Sequence, residues 1–305
     1  MRSDLLKGKK ILMTGLTGSV AYLVAKSFAK ESDVWGIARF SDPAKKESLE
    51  AEGITCIKCD LGDADYFDRL PNDFDYLINF AVSFDPSFDE VFRASVEGLG
   101  LLINHCRNVK AFFHCSTVGV YKSNNHEELK ETDLLGDNSQ VILPTYSIQK
   151  AAAEGIARFT ARLWGLPTVI ARLSVPYGDN GGWPAMHFEQ MLAGDPIPVH
   201  INKPSEYRPI HTDDIARTVP MLLEKATVPA TIVNWGGEER VSIEQWCGYL
   251  EELTGIKPKF NYTDQCLDSN IPDLTKMHSL IGKMEVNWKD GIRRMMKSLY
   301  PDRLL

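Results

Sequence analysis

Lys9-Lys10-Ile11-Leu12-Met13-Thr14-Gly15-Leu16-Thr17-Gly18-Ser19-Val20-Ala21 is the stretch whose reading decides the fold. An apolar run of strand character breaks into a glycine-rich turn, and a helical pattern follows at once. In such a turn Gly15 makes the tight bend, and Gly18 lets the backbone approach a pyrophosphate lying on the N-terminus of the following helix. Thr17, Ser19 and Val20 fill the rest of the cradle, and Ala21 is small enough for close helix-to-strand packing. The stretch follows a strand, opens a helix and begins a strand-helix repeat, which is the context a dinucleotide-binding fingerprint requires.

Further apolar runs lie at 34–37, 54–57, 76–80, 111–114 and 168–171, with helical patterns over 18–30, 87–107 and 146–164. This alternation predicts an α/β fold with a doubly wound parallel sheet, ligand binding at the carboxyl ends of the strands. After Pro176-Tyr177-Gly178 the chain turns to loops rich in proline, glycine and tryptophan, where a smaller substrate lobe begins.

A second constellation is Tyr146-Ser147-Ile148-Gln149-Lys150, about thirty residues after a strand-like run ending in Cys115-Ser116-Thr117. One helical turn places Tyr146 and Lys150 on one face. A free phenol titrates near pH 10, and a neighbouring ammonium favours the phenolate. The pair is thus a candidate proton-transfer device, with Ser116 or Thr117 placed to hydrogen-bond the substrate oxygen. The plainer alternative is an ordinary amphipathic pair.

Thr14-Gly15-x-x-Gly18-x-x-Ala21, Asp60-Leu61, Phe80-Ala81, Ser116-Thr117, Tyr146-x-x-x-Lys150 and Arg208-Pro-Ile-His211-x-Asp213-Asp214-Ile215 together resemble the extended short-chain dehydrogenase/reductase family, NAD(P)-dependent epimerase/dehydratase type. The resemblance implies a Rossmann domain over 1–175 with return segments near 208–240, and a substrate lobe of 176–207 and 241–305. It also implies Tyr146 as acid/base and Lys150 on the nicotinamide ribose. Thr117 is the better match to the catalytic hydroxyl, and Asp60 would accept from the adenine amine. Leu61, Phe80, Ala81 and Val175 would complete the cofactor contacts. Trp183, His187 and Arg208, the last matching an arginine that meets a diphosphate, would touch substrate with Thr117. Asp214 is expected to cap a helix beginning near Ile215. Two departures matter. Dehydrating members carry an Asp-Glu pair after the catalytic hydroxyl, where this chain has Val118-Gly119, and nucleotide-sugar binders commonly have asparagine where it has Val175. The resemblance implies a homodimer through the 87–107 and 146–164 helices.

The 305 residues carry a net charge of −7, which argues against nucleic-acid and membrane-surface partners. No secretory signal pattern or spanning apolar run is present, and six scattered cysteines suit reduced thiols, so a cytoplasmic setting is expected. Cys56-x-x-Cys59 lacks a second pair, and no metal is expected.

NAD enzymes place an acid at the end of the second strand, whereas NADP enzymes offer a cation to the 2′-phosphate. Ala38-Arg39 occupies that place, so NADP(H) is expected, with NAD(H) as the alternative. The sequence therefore reads as an NADP(H)-dependent oxidoreductase interconverting a ketone and a secondary alcohol in a small organic substrate. The alternative is an NAD(P)-dependent epimerase of a (nucleotide-)sugar, and a third reading is a non-catalytic NADP(H) sensor. Arg39→Ala should raise the KM for NADPH far more than that for NADH in steady-state kinetics; an equal effect on both would reject the assignment.

Overall fold

The computed structural model describes residues 3–63, 65, 67 and 70–305. Ile11, Leu12 and Met13 have no exposed surface, so the opening apolar run becomes β1 (Lys10–Thr14), an interior strand. The next strands are β2 (Asp33–Ala38), β3 (Thr55–Lys58), β4 (Tyr76–Asn79) and β5 (Ala111–Thr117). With Thr168–Leu173 and Thr231–Trp235 they form a seven-stranded sheet, ordered Thr231–Trp235, Thr168–Leu173, β5, β4, β1, β2, β3. The β1 to β5 pairings are parallel. The chain runs outward from β1 to β3 and then returns to place β4 on the other side of β1. This reversal opens a crevice at the carboxyl ends of β1 and β4.

The turn after β1 explains its glycine. Gly15 has φ of +75°, and a Cβ there would lie 2.8 Å from the Ala81 backbone nitrogen. Gly18 then precedes α1 (Ser19–Phe28) without supplying a side-chain cap. Asp42 caps α2 (Pro43–Glu50) by accepting from the Ala44 and Lys45 backbone nitrogens.

The expected 87–107 helix is three pieces: α3 (Phe88–Phe92), a π-helical turn over Arg93–Glu97, and α4 (Gly98–His105). A Cβ on Gly98 would lie 2.3 Å from the Leu61 carbonyl oxygen, so the chain can continue there only with glycine.

Two compact units make up the molecule. The first comprises Met1–Thr117, Ile148–Arg172 and Ala216–Val233, and the second Val118–Ser147, Leu173–Ile215 and Asn234–Leu305. Residues 118–147, which the sequence places in the nucleotide domain, therefore group with the second unit. Tyr121 donates its phenol to Asn234 Oδ1 at 2.6 Å, Asn234 Nδ2 donates to the Leu129 carbonyl at 2.7 Å, and Asn270 Nδ2 donates to the Val118 carbonyl at 2.9 Å. The return segment is likewise shorter than expected, 216–233. Asp214 is not a helix cap: the helix begins at Thr212, and the Asp214 carboxylate accepts from the Glu285 and Val286 backbone nitrogens, holding the C-terminal part of its own unit. The second unit has its own core, with Phe188, Ile197, Val199, Trp246, Leu250 and Met295 fully buried.

Inside the first unit, α5 (Tyr146–Trp164) is tied to the sheet by charge. Glu154 accepts from Arg172 at both carboxylate oxygens, 2.9 and 2.7 Å, and from the Ser116 hydroxyl at 2.6 Å. All three residues are buried. Glu154→Ala would leave the Arg172 cation buried without its carboxylate, a loss of about 3–5 kcal/mol. Urea denaturation should show that loss, and a change below 1 kcal/mol would show that the pair does not anchor the helix.

Candidate functional site

The crevice at the ends of β1 and β4 is a cleft of about 280 Å³ within the first unit. Of the residues the sequence assigns to cofactor, Gly15, Thr17, Gly18, Arg39, Asp60, Leu61, Phe80 and Ala81 line it together. Ser19 and Val20 open α1 beside it without being among its lining residues. Val175 is elsewhere, buried in the core of the second unit.

A polar row braces this cleft from below. Thr14, Asn79 and His114 occupy facing register positions on β1, β4 and β5. The Ala81 backbone N–H donates to Thr14 Oγ1 at 3.1 Å, Thr14 donates to Asn79 Oδ1 at 2.5 Å, and Asn79 Nδ2 donates to His114 Nδ1 at 3.0 Å. Burial, with the Lys150 cation adding to it, holds His114 well below the usual imidazole range, so it stays neutral. The row pins the Ala81 backbone where the Gly15 turn approaches it.

At the outer end of β2 the cleft changes from apolar to charged. Arg39 is exposed at its edge, and the Lys45 ammonium donates to the Thr17 carbonyl at 3.1 Å. Burial raises the Asp60 pKa, but the Gly62 N–H at 2.9 Å, the Arg93 guanidinium at 3.2 Å and the Arg39 charge outweigh it, leaving the carboxyl below its ordinary value. Arg93 also pairs with Glu90 at 2.7 Å. Sequence reading missed Lys45 and Arg93, because neither belongs to a motif; Arg93 lines the cleft and Lys45 holds the carbonyl of Thr17, one of its lining residues.

These groups fit a nicotinamide dinucleotide. The positive-φ Gly15, which lets the turn pack against the Phe80–Ala81 backbone, and the N-terminus of α1 with no side-chain cap suit a pyrophosphate.

Lys150 is buried on α5, and its ammonium donates to the Cys115 carbonyl at 2.8 Å, near the carboxyl end of β5. Burial lowers its pKa, with the Cys115 thiol and Glu154 opposing. Tyr146 is the first residue of the same helix, one turn earlier, and follows Thr145, whose φ of +70° is left-handed. Such a non-glycine conformation costs about 1–3 kcal/mol and persists where surrounding structure imposes it. Ser116 and Thr117 end β5 side by side, but their surroundings differ: the Ser116 hydroxyl is committed to Glu154, whereas Thr117 is less buried.

The second unit contains a cavity of about 520 Å³ that brings Trp183 and His187 together with Met186, Tyr207, Ile243 and Leu267. Trp183 and His187 lie on one helix, Trp183–Ala193, and Tyr207 meets Trp183 edge-on at 5.3 Å. Arg208 does not line this cavity. Its Nη1 donates to the Glu238 carbonyl at 2.6 Å and its Nη2 to the Glu128 carboxylate at 2.7 Å. Among the described residues, no helix is long and apolar enough to cross a membrane.

The family model described as NAD dependent epimerase/dehydratase family matches residues 11–236. The chain is 24% identical over 320 residues to the Bacillus subtilis (strain 168) protein named Uncharacterized UDP-glucose epimerase YtcB, covering 95% of this chain and 99% of that protein. Among solved structures it resembles a UDP-glucuronic acid 4-epimerase from Bacillus cereus, in complex with UDP-glucuronic acid and NAD. That likeness has a TM-score of 0.81 at 22% identity, over 95% of this chain and 98% of the other. It also resembles the UDP-glucose 4-epimerase of Thermotoga maritima with UDP-glucose, with a TM-score of 0.82 at 22% identity over 96% and 99% of the two chains. The family match covers most of the chain, so the chain belongs to the NAD dependent epimerase/dehydratase family and is an enzyme of the short-chain dehydrogenase/reductase group.

Proposed function

We propose that this enzyme is an epimerase of a nucleotide sugar, dependent on a nicotinamide dinucleotide. The reductase reading of the sequence is set aside, because the matching family and relatives are epimerases and dehydratases. The observation that carries the proposal is Lys150, buried at the end of β5 and one helical turn from Tyr146. Elimination of water needs a further acid and base, and Val118-Gly119 follows Thr117 where dehydrating members carry Asp-Glu. This favours epimerisation over dehydration.

The bound dinucleotide supplies the group that accepts a hydride and returns it. The chain's own residues handle one proton. Tyr146 would take it from the sugar hydroxyl that is oxidised and return it to the ketone oxygen, after the sugar has turned so that the hydride comes back to the opposite face of the carbon. Lys150 favours the phenolate and holds the nicotinamide ribose. Thr117, the last residue of β5, orients the sugar oxygen. Arg208 meets the diphosphate by exchanging Glu128 for it, a trade of one oxyanion for another at the same guanidinium edge.

For the cofactor, Ala38 in the acid's place and the cations Arg39 and Lys45 support NADP(H), with NAD(H), present in the Bacillus cereus complex, as the alternative occupant. A homodimer is supported by the exposed apolar side chains Phe159 and Leu163 on α5 and Leu101 on α4.

Incubation with UDP-glucose and chromatography of the products should reveal the C4 epimer without net change in nicotinamide absorbance. Tyr146→Phe should lower turnover by about 10²–10⁴-fold while dinucleotide affinity stays within about twofold. Retention of most of the activity would exclude Tyr146 as the acid/base.

A further inference from the structure

The cavity of the second unit is walled mainly by apolar and aromatic groups, and two of its polar lining groups are hydrogen-bonded within the protein. The Tyr207 hydroxyl donates to the Leu267 and Asp268 carbonyls at 3.3 and 3.0 Å. Glu189 accepts from the Tyr300 hydroxyl at 2.9 Å. Gln190 and Asp195 also line the cavity, and His187 is set apart from them by a fixed partner on one ring nitrogen. The Trp246 indole N–H donates to His187 Nδ1 at 2.9 Å, with the two rings within 16° of parallel. Trp246 is fully buried, so this donor is fixed. A ring that accepts at Nδ1 while neutral must carry its proton on Nε2. Burial lowers the imidazole to about 4, so it is neutral at physiological pH. The Nε2–H is therefore a donor of fixed identity in the wall of the cavity, with no protein acceptor among the described residues.

We infer that His187 is a specificity-determining residue, whose Nε2–H donates to the 4-carbonyl of a pyrimidine base seated against Trp183 and so selects uracil or thymine nucleotides over cytosine ones. The inference rests on the nucleotide-sugar reading above. In a pyrimidine, N1, which bears the ribose, and C4 are opposite ring atoms. A base that enters with its ribose outward therefore presents its 4-substituent to the inner wall. Uracil and thymine carry an acceptor oxygen there, and cytosine carries an amine donor. A histidine free to exchange its ring proton could serve either base. With Nδ1 occupied by Trp246, His187 can only donate, and a cytosine amine would meet it donor to donor.

Calorimetric titration of the full-length protein with UDP and with CDP tests this. The wild type should bind UDP about tenfold or more tightly than CDP, the effect of one hydrogen bond made or missing. His187→Phe keeps a flat ring but removes the donor, and should bring the ratio to within about twofold, chiefly by weakening UDP. Trp246→Phe retains His187 and frees its tautomer, and should narrow the ratio by improving CDP. Equal binding of UDP and CDP by the wild type would overturn the inference. So would an unchanged ratio in a folded His187→Phe protein that still epimerises UDP-glucose, and in that case the nucleotide-sugar reading would survive alone. Absence of binding by either nucleotide, together with no turnover of UDP-glucose, would overturn both.

Discussion

One buried carboxylate holds α5, the helix that carries Tyr146 and Lys150, to the sheet. Glu154 takes hydrogen bonds from Arg172 on the strand Thr168–Leu173 and from Ser116 on β5, and it lies one turn beyond Lys150 on α5. A side chain on a helix can rotate and slide by small amounts when its contacts are only apolar. A bidentate ion pair, closed by a third donor, has a single favourable geometry. Removal of charge from water is costly, so such a pair is poor at adding stability and good at defining one arrangement. Here the arrangement it defines is the height of Lys150 over the end of β5, from which the ammonium reaches the Cys115 carbonyl.

The dinucleotide cleft rests on a different constraint, close approach of backbones. The Gly15 turn comes so near to Phe80 and Ala81 that a methyl group has no room, and Thr14 clamps the Ala81 amide from the same strand end. The row continues through Asn79 to His114, using three adjacent parallel strands in register. Each member satisfies the next, and the buried imidazole is kept uncharged. The apolar interior therefore reaches up to the cleft floor with its polar groups in a defined direction, while the charged residues Arg39, Asp60 and Arg93 are confined to its outer end.

The two cavities suit two different tasks. The first has backbone N–H groups and cations suited to phosphate and ribose. The second is lined mainly by apolar and aromatic groups, with His187 held in its wall by Trp246. Placing the recognition of the distant, non-reacting part of a substrate in a separate site lets binding energy there position the reacting part elsewhere. The Arg208 guanidinium, expected to meet an anion, is held within the protein by Glu128 and the Glu238 carbonyl.

Local sequence determined the Rossmann sheet, the glycine turn, part of the cleft lining and the placement of Tyr146 and Lys150 on one helix. Each depends on contacts a few residues apart: a strand-turn-helix period, a glycine at a forced φ, an i to i+4 step. The family and its epimerase alternative were legible for the same reason. Tertiary structure decided what rests on long-range partners. It grouped residues 118–147 with the second unit through Asn234 and Asn270, made Asp214 a clamp on 285–286 instead of a helix cap, brought Arg93 to the cleft and set Lys45 on the Thr17 carbonyl. It also committed the Ser116 hydroxyl to Glu154, a partner that no local pattern announces. Sequence spacing reports which side chains share a face, but the partner that waits opposite that face, and so the proton state and direction of each polar group, exists only after folding.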